Sequence, residues 1–188
     1  MKIHAVGDSI TYLVSRYGGA TMFLEDHAIS AVLDGDPGDR ADTPSRGAAW
    51  IAACATEVDR VVYALGCNDV MKQTFRDPNR QDDPEAIRWS DTEQAILVGV
   101  LHDRLSYAAS LGVRPIWVNI TTRTMSGHYN AGARRVNAAM LEACTANGWG
   151  YVDWDVLRAP TTDLIHPKPA GAKMWVDAVA AEALAGDP

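Results

Sequence analysis

The sequence predicts an α/β fold in which a mainly parallel, five-stranded sheet is covered by helices on both faces. Two patterns carry this reading. Short apolar runs alternate along the chain with longer stretches whose apolar residues recur at helical spacing, which is the signature of βαβ units. Several of the short runs end at a glycine or in a turn-rich stretch, as strands do. The 188 residues, 47% of them apolar, suffice for one domain with a full core.

The strand candidates are residues 3–6, ending at Gly7; residues 28–33, ending in Asp34-Gly35-Asp36-Pro37-Gly38-Asp39; residues 60–65, ending at Gly66; residues 116–120; and the short pair 151–152. A small-residue helix is expected over 45–55 with Ser45 as N-cap. Residues 92–111 place Ile96, Leu97, Val100, Leu101, Leu105 and Ala108 on one helical face. Residues 131–146 do the same with Val136, Met140, Leu141 and Cys144, and residues 170–184 with Met174, Trp175, Ala178 and Val179. The segment 71–91 is polar, contains proline and exceeds an ordinary connection. It reads as a lid or specificity insertion bordering the pocket, with a merely solvated insertion as the alternative.

A net charge of -7 repels phosphate backbones and anionic lipid surfaces, which disfavours nucleic acid and membranes as partners. The chain shows no signal-peptide pattern and no apolar stretch of spanning length. Its three cysteines are widely spaced and contain no Cys-x-x-Cys, so reduced thiols and a cytoplasmic location are expected.

Ligands of open parallel sheets bind beyond the carboxyl ends of the strands. Gly7-Asp8-Ser9 follows the first strand, Gly38 the second and Gly66-Cys67-Asn68-Asp69 the third, while Asp163-Leu164-Ile165-His166 precedes the last helix. The fourth strand end offers Asn119, Thr121, Thr122 and Arg123. These are the residue types that acyl transfer needs. A serine hydroxyl becomes a nucleophile when a base takes its proton, and histidine does this near neutral pH. Asp163, three residues before His166, can hold the second ring nitrogen and stabilise the imidazolium. The backbone N–H groups of Ser9 and Gly38 and the amide of Asn68 can meet a developing oxyanion.

Gly7-Asp8-Ser9-Ile10, Gly66-x-Asn68-Asp69 and Asp163-x-x-His166 resemble, in order and spacing, the blocks of the SGNH (GDSL-like) hydrolase family over nearly the whole chain. That resemblance implies a flavodoxin-like three-layer α/β/α sandwich, a single catalytic domain over 1–188 and hydrolysis of acyl esters or thioesters. It implies Ser9 as nucleophile, His166 as base, Asp163 as its partner and Asn68 as an oxyanion donor, with no metal or other cofactor. The family's glycine block usually reads Asn-x-Gly-x-x-Gly. Here Asp34-Gly35-Asp36-Pro37-Gly38 lacks the asparagine, so Gly38 is preferred because it follows a strand, with Gly47 as the competitor.

Each block has a plainer reading alone. Gly7-Asp8-Ser9 fits a strand-to-helix turn with Ser9 as N-cap, Gly66 and Asn68 fit a simple turn, and His166 fits a loop histidine. Their coincidence in register favours a site. The acids Asp34, Asp36, Asp39 and Asp42 read as a solvated turn, since they miss the positions of a calcium loop. Cys67 reads as a small buried wall residue, and Trp50, Trp89 and Trp154 as core or acyl-pocket wall. The expected activity is hydrolysis of small or medium acyl esters, including O-acetyl esters. The rivals are an acyltransferase using the same acyl-serine and a silent binding module of the same fold.

Overall fold

Strand β1 (Lys2–Gly7) lies inside the sheet and organises it. It pairs in parallel with β2 (Ser30–Gly35) on one side and with β3 (Arg60–Ala64) on the other. Strands β4 (Arg114–Val118) and β5 (Gly150–Val152) extend the sheet beyond β3, giving the all-parallel order β2-β1-β3-β4-β5. The computed structural model describes residues 1–74, 91–124 and 127–185. The proposed lid over 71–91 therefore lies almost wholly outside the described residues, as does Trp89.

Seven helices among these residues cover the sheet: α1 (Ser9–Arg16), α2 (Gly19–His27), α3 (Pro44–Cys54), α4 (Cys67–Thr74), α5 (Asp91–Ser110), α6 (Gly127–Asn147) and α7 (Pro169–Ala185). Alternation along the strands divides the core in two. Val61 and Tyr63 of β3 face α3, α4, α5 and α6, where Trp50, Leu101, Leu105, Val136 and Met140 pack. Val62 and Ala64 face α1, α2 and α7, where Val14, Phe23, Trp175 and Val179 pack. Burial on both faces explains why β3 reads as a continuous apolar run. No helix among the described residues is long and apolar enough to cross a membrane.

Several expected boundaries move for identifiable reasons. The second strand spans Ser30–Gly35, because Ala28 takes a left-handed φ of 56° that ends α2, and Ile29 N–H bonds back to the Phe23 carbonyl. Helix α3 is capped at Thr43, with Pro44 at its first position, which places Ser45 inside the first turn. Strand β4 begins at Arg114, and Asn119 and Ile120 already belong to the connection that follows. Ile96 is 61% exposed and Leu141 is 46% exposed, so neither belongs to the buried stripe of its helix. Helices α1 and α2 escape the periodicity reading because both are short. Trp50 and Trp154 are fully buried core residues. All three cysteines are free, buried thiols.

Helix α1 is the element that matters most for the site. Its N-cap is Asp8, whose carboxylate accepts the Ile10 N–H at 3.0 Å, so Ser9 is the first helical residue rather than the cap. The helix also crosses the end of β2 very closely. A Cβ built on Gly35 would stand 2.2 Å from the Tyr12 backbone nitrogen, and backbone cannot swing aside as a side chain can. Asp8 is fully buried. Burial pushes its carboxyl from the ordinary 3.8 up to about 7, only partly opposed by the Ile10 N–H and by nearby His166.

Two outcomes follow. Gly35→Ala forces α1 and β2 apart and lowers stability by about 1–3 kcal/mol, read as a drop in the urea midpoint. Folded Asp8 keeps a proton that the unfolded chain releases above 3.8, so its contribution to stability is present at low pH and fades as pH rises to about 7. Asp8→Asn keeps an acceptor for Ile10 and abolishes that decline. Across this window wild type loses up to about 4 kcal/mol relative to the variant, measured by denaturant unfolding at both ends; parallel behaviour would contradict a protonated Asp8.

Candidate active site

The sheet order reverses at β1, since the chain leaves β1 for one edge and returns to its other side at β3. This switch point is where doubly wound sheets open a crevice. Gly7 at the end of β1 pairs with Ala64 at the end of β3, so Ser9 and Asn68 hang from adjacent strand ends. The third contributor comes from the connection between β5 and α7. Loop 160–168 is closed on itself by Thr162 N–H to the His166 carbonyl at 2.8 Å and Lys168 N–H to the Pro160 carbonyl at 2.9 Å.

Inside that loop the Asp163 carboxylate serves two purposes. Its Oδ1 accepts the backbone N–H groups of Ile165 at 3.1 Å and His166 at 2.8 Å, which shapes the turn. Its Oδ2 lies 2.6 Å from His166 Nδ1. Desolvation is the largest single influence and works against the charge, but the His166 backbone and ring donors and the Ile165 N–H together outweigh it and hold the Asp163 carboxyl below its ordinary value. An ionised carboxylate only accepts, so Nδ1 carries the ring proton and Nε2 presents its lone pair outward. Ser9 Oγ stands 2.9 Å from that Nε2, 157 residues away in sequence. Serine, histidine and aspartate thus form one continuous relay, with the His166 side chain 32% and the Asp163 side chain 52% exposed.

The turn after β2 stands beside this relay. Asp36 N–H bonds the Gly7 carbonyl at 3.2 Å, and Asp39 N–H bonds the Asp36 carbonyl at 3.3 Å. Gly38, between them, takes a φ of 84°, a left-handed conformation that suits glycine. Asn68 Nδ2 donates to the Asp39 carbonyl at 2.8 Å, which uses one of its two amide protons and leaves the other. Gly47 is different. It lies within α3, and its N–H already donates to the Thr43 carbonyl at 3.0 Å. That bond rules out Gly47 as a free donor, leaving Gly38 as the remaining glycine candidate.

A groove of about 360 Å³ opens at Ser9 and His166, walled by Tyr12, Leu13 and Tyr17 of α1 and its end, with Pro37, Thr162 and Pro167 opposite. Sequence reading misses Tyr12 and Leu13, although they stand three and four residues after Ser9. The spacing is the signal, and it needs α1 to be recognised as a helix. The polar residues after β4 go elsewhere. Asn119 holds Asp153 at 2.9 Å and the Trp154 N–H at 2.7 Å, while Thr121 and Thr122 hold Asp155, so they stitch β4 to β5. Cys67 is buried with its Sγ 2.8 Å from Tyr129 Oη. Burial pushes its thiol far above the ordinary range, so it supplies no thiolate. The acidic turn is not simply solvated, because Asp34, Asp36 and Asp39 all face Arg46, another residue that sequence reading passes over.

Comparison with known proteins extends the picture. No curated protein sequence matches the chain. Among solved structures, Axe2, an acetylxylan esterase from Geobacillus stearothermophilus, aligns with a TM-score of 0.72 at 16% identity over 100% of this chain and 94% of its own. A catalytic mutant of the same enzyme gives 0.73 at 16% identity with the same coverage. A Bacteroides fragilis protein provisionally described as an acylhydrolase gives 0.71 at 13% identity, covering 98% of this chain and 86% of its own. At such identities the likeness establishes the three-layer fold. The profile of the GDSL-like lipase/acylhydrolases matches residues 5–174, most of the chain, and the protein belongs to that family, the serine hydrolases of the SGNH type.

Proposed function

We propose that the protein hydrolyses small or medium acyl esters, O-acetyl esters among them, through an acyl-Ser9 intermediate. The observation that carries this reading is the relay of Ser9 Oγ to His166 Nε2 at 2.9 Å and His166 Nδ1 to Asp163 Oδ2 at 2.6 Å. His166 takes the Ser9 proton as Oγ attacks the ester carbonyl, and Asp163 stabilises the imidazolium that forms. The oxyanion meets the Ser9 N–H, which helix geometry leaves without an intrahelical acceptor, together with the Gly38 N–H and the second amide proton of Asn68. His166 then passes its proton to the leaving alcohol. A water deprotonated by the same ring attacks the acyl-serine and releases the acid.

Two features support a neutral substrate and water as acceptor. Apart from His166 the described residues that wall the groove carry aromatic, aliphatic, proline and hydroxyl side chains, with no fixed charge among them. The His166 and Asp163 side chains are open enough for water to reach the ring. The acetylxylan esterase fold of the Axe2 neighbours makes carbohydrate O-acetyl groups the first alcohol class to test.

Purified protein is expected to turn over p-nitrophenyl acetate, and Ser9→Ala is expected to abolish that turnover while leaving circular dichroism and the unfolding midpoint unchanged. Full turnover by the alanine variant would remove Ser9 from its role. Asn68→Ala loses one oxyanion donor, so kcat should fall roughly 100-fold with little change in KM. A rise in KM at constant kcat would instead place Asn68 in ground-state binding.

A further inference from the structure

We infer that Arg46 is the positioning residue of the oxyanion wall: one guanidinium, through three carboxylates, sets where Gly38 and Asn68 stand. The inference rests on the ester-hydrolase reading above and concerns how its donors are held. Arg46 belongs to the first turn of α3, and its side chain is only 10% exposed. Its Nη1 lies 2.8 Å from Asp34 Oδ1 and its Nε 2.7 Å from Asp39 Oδ2, while Nη2 stands 3.9 Å from Asp36 Oδ2. Three carboxylates, one at the end of β2 and two in the turn after it, repel one another. A single planar cation shared among them turns that repulsion into a fixed geometry, and its low exposure limits screening by salt.

The turn gains from such a hold because Gly38 has no side chain to anchor it. Gly38 is exposed, and a Cβ built on it would meet nothing within 4 Å, so its outer side is open to solvent. Its place is inherited from its neighbours. Asp36 is tied to the Gly7 carbonyl and thereby to the strand that carries Ser9. Asp39 is ion-paired through its side chain with Arg46, without the alignment of a hydrogen bond, and its carbonyl accepts from Asn68 Nδ2. Arg46, Asp39 and Asn68 therefore form one chain of contacts that ends at the two donors outside α1. Sub-ångström misplacement of such donors weakens the transition state while sparing the ground state.

The test compares wild type with Arg46→Gln, Arg46→Lys and Asp39→Asn on p-nitrophenyl acetate. Arg46→Gln is expected to lower kcat roughly 10- to 100-fold with KM within about threefold, and Arg46→Lys, a point charge that cannot face all three acids, to recover part of that loss. The acid limb of the pH profile stays where it is in wild type, because the Ser9–His166 relay is untouched. Asp39→Asn weakens the same tie without leaving three unopposed carboxylates, and its kcat should fall roughly three- to tenfold, which keeps the test open if Arg46→Gln does not fold. Wild-type kcat in folded Arg46→Gln or in Asp39→Asn overturns the inference, as does a loss matched by the unfolded fraction at the assay temperature. Equal turnover by wild type and Ser9→Ala would instead overturn the ester-hydrolase reading, so the two failures are distinguishable.

Discussion

A parallel sheet delivers every carboxyl end to one edge, and each polar group of this site depends on that edge. Ser9, Asn68 and the Gly38 turn come from the ends of β1, β3 and β2, three neighbours in the sheet order. The strands fix the spacing of those ends at roughly 5 Å each before any side chain is placed. Only the histidine and its aspartate arrive from farther away, and they arrive together in one closed loop. The geometry of the relay is thus a consequence of register and topology, with side-chain bonds making the last adjustments.

Two aspartates flank this site with their acidities shifted in opposite directions, and environment alone separates them. Asp8 is sealed beneath α1 and raised to about 7, so it holds its proton over much of the acid range. Asp163 faces solvent, accepts two backbone donors and a ring nitrogen, and is held low. The first caps the helix that presents Ser9, and the second orients the His166 ring. An interchange of the two environments would bury a charge beneath Ser9 and leave His166 without an anionic partner.

Much of this was legible in the sequence. The alternation of apolar runs and helical stripes carried the fold, and the blocks around Ser9, Asn68 and His166 were readable because each sits where a strand or loop must stop. What escaped had physical reasons. Helices α1 and α2 are each under three turns, so although Ile10, Leu13 and Val14 of α1 recur at helical spacing, neither helix fills the longer window in which a stripe stands out. Without α1, the wall made by Tyr12 and Leu13 cannot be seen. The acids from Asp34 to Asp39 look like solvated turn residues until Arg46 is brought to them, because nothing in the spacing of an arginine on a small-residue helix points back across a turn. Gly47 could be set aside only once its N–H was seen inside α3.

Base and acid share one short loop, and that arrangement divides the enzyme into parts of unequal durability. Loop 160–168 is tied by its own backbone bonds and by Ile165 against the core, and most of it stands at the surface, whereas the seat of Ser9 is buried in the centre of the sheet. Segments held in this way open at lower free energy than the core. Each opening disconnects the histidine and the aspartate at once while the serine stays presented. Amide exchange within this loop would therefore report how often His166 and Asp163 stand together beside Ser9.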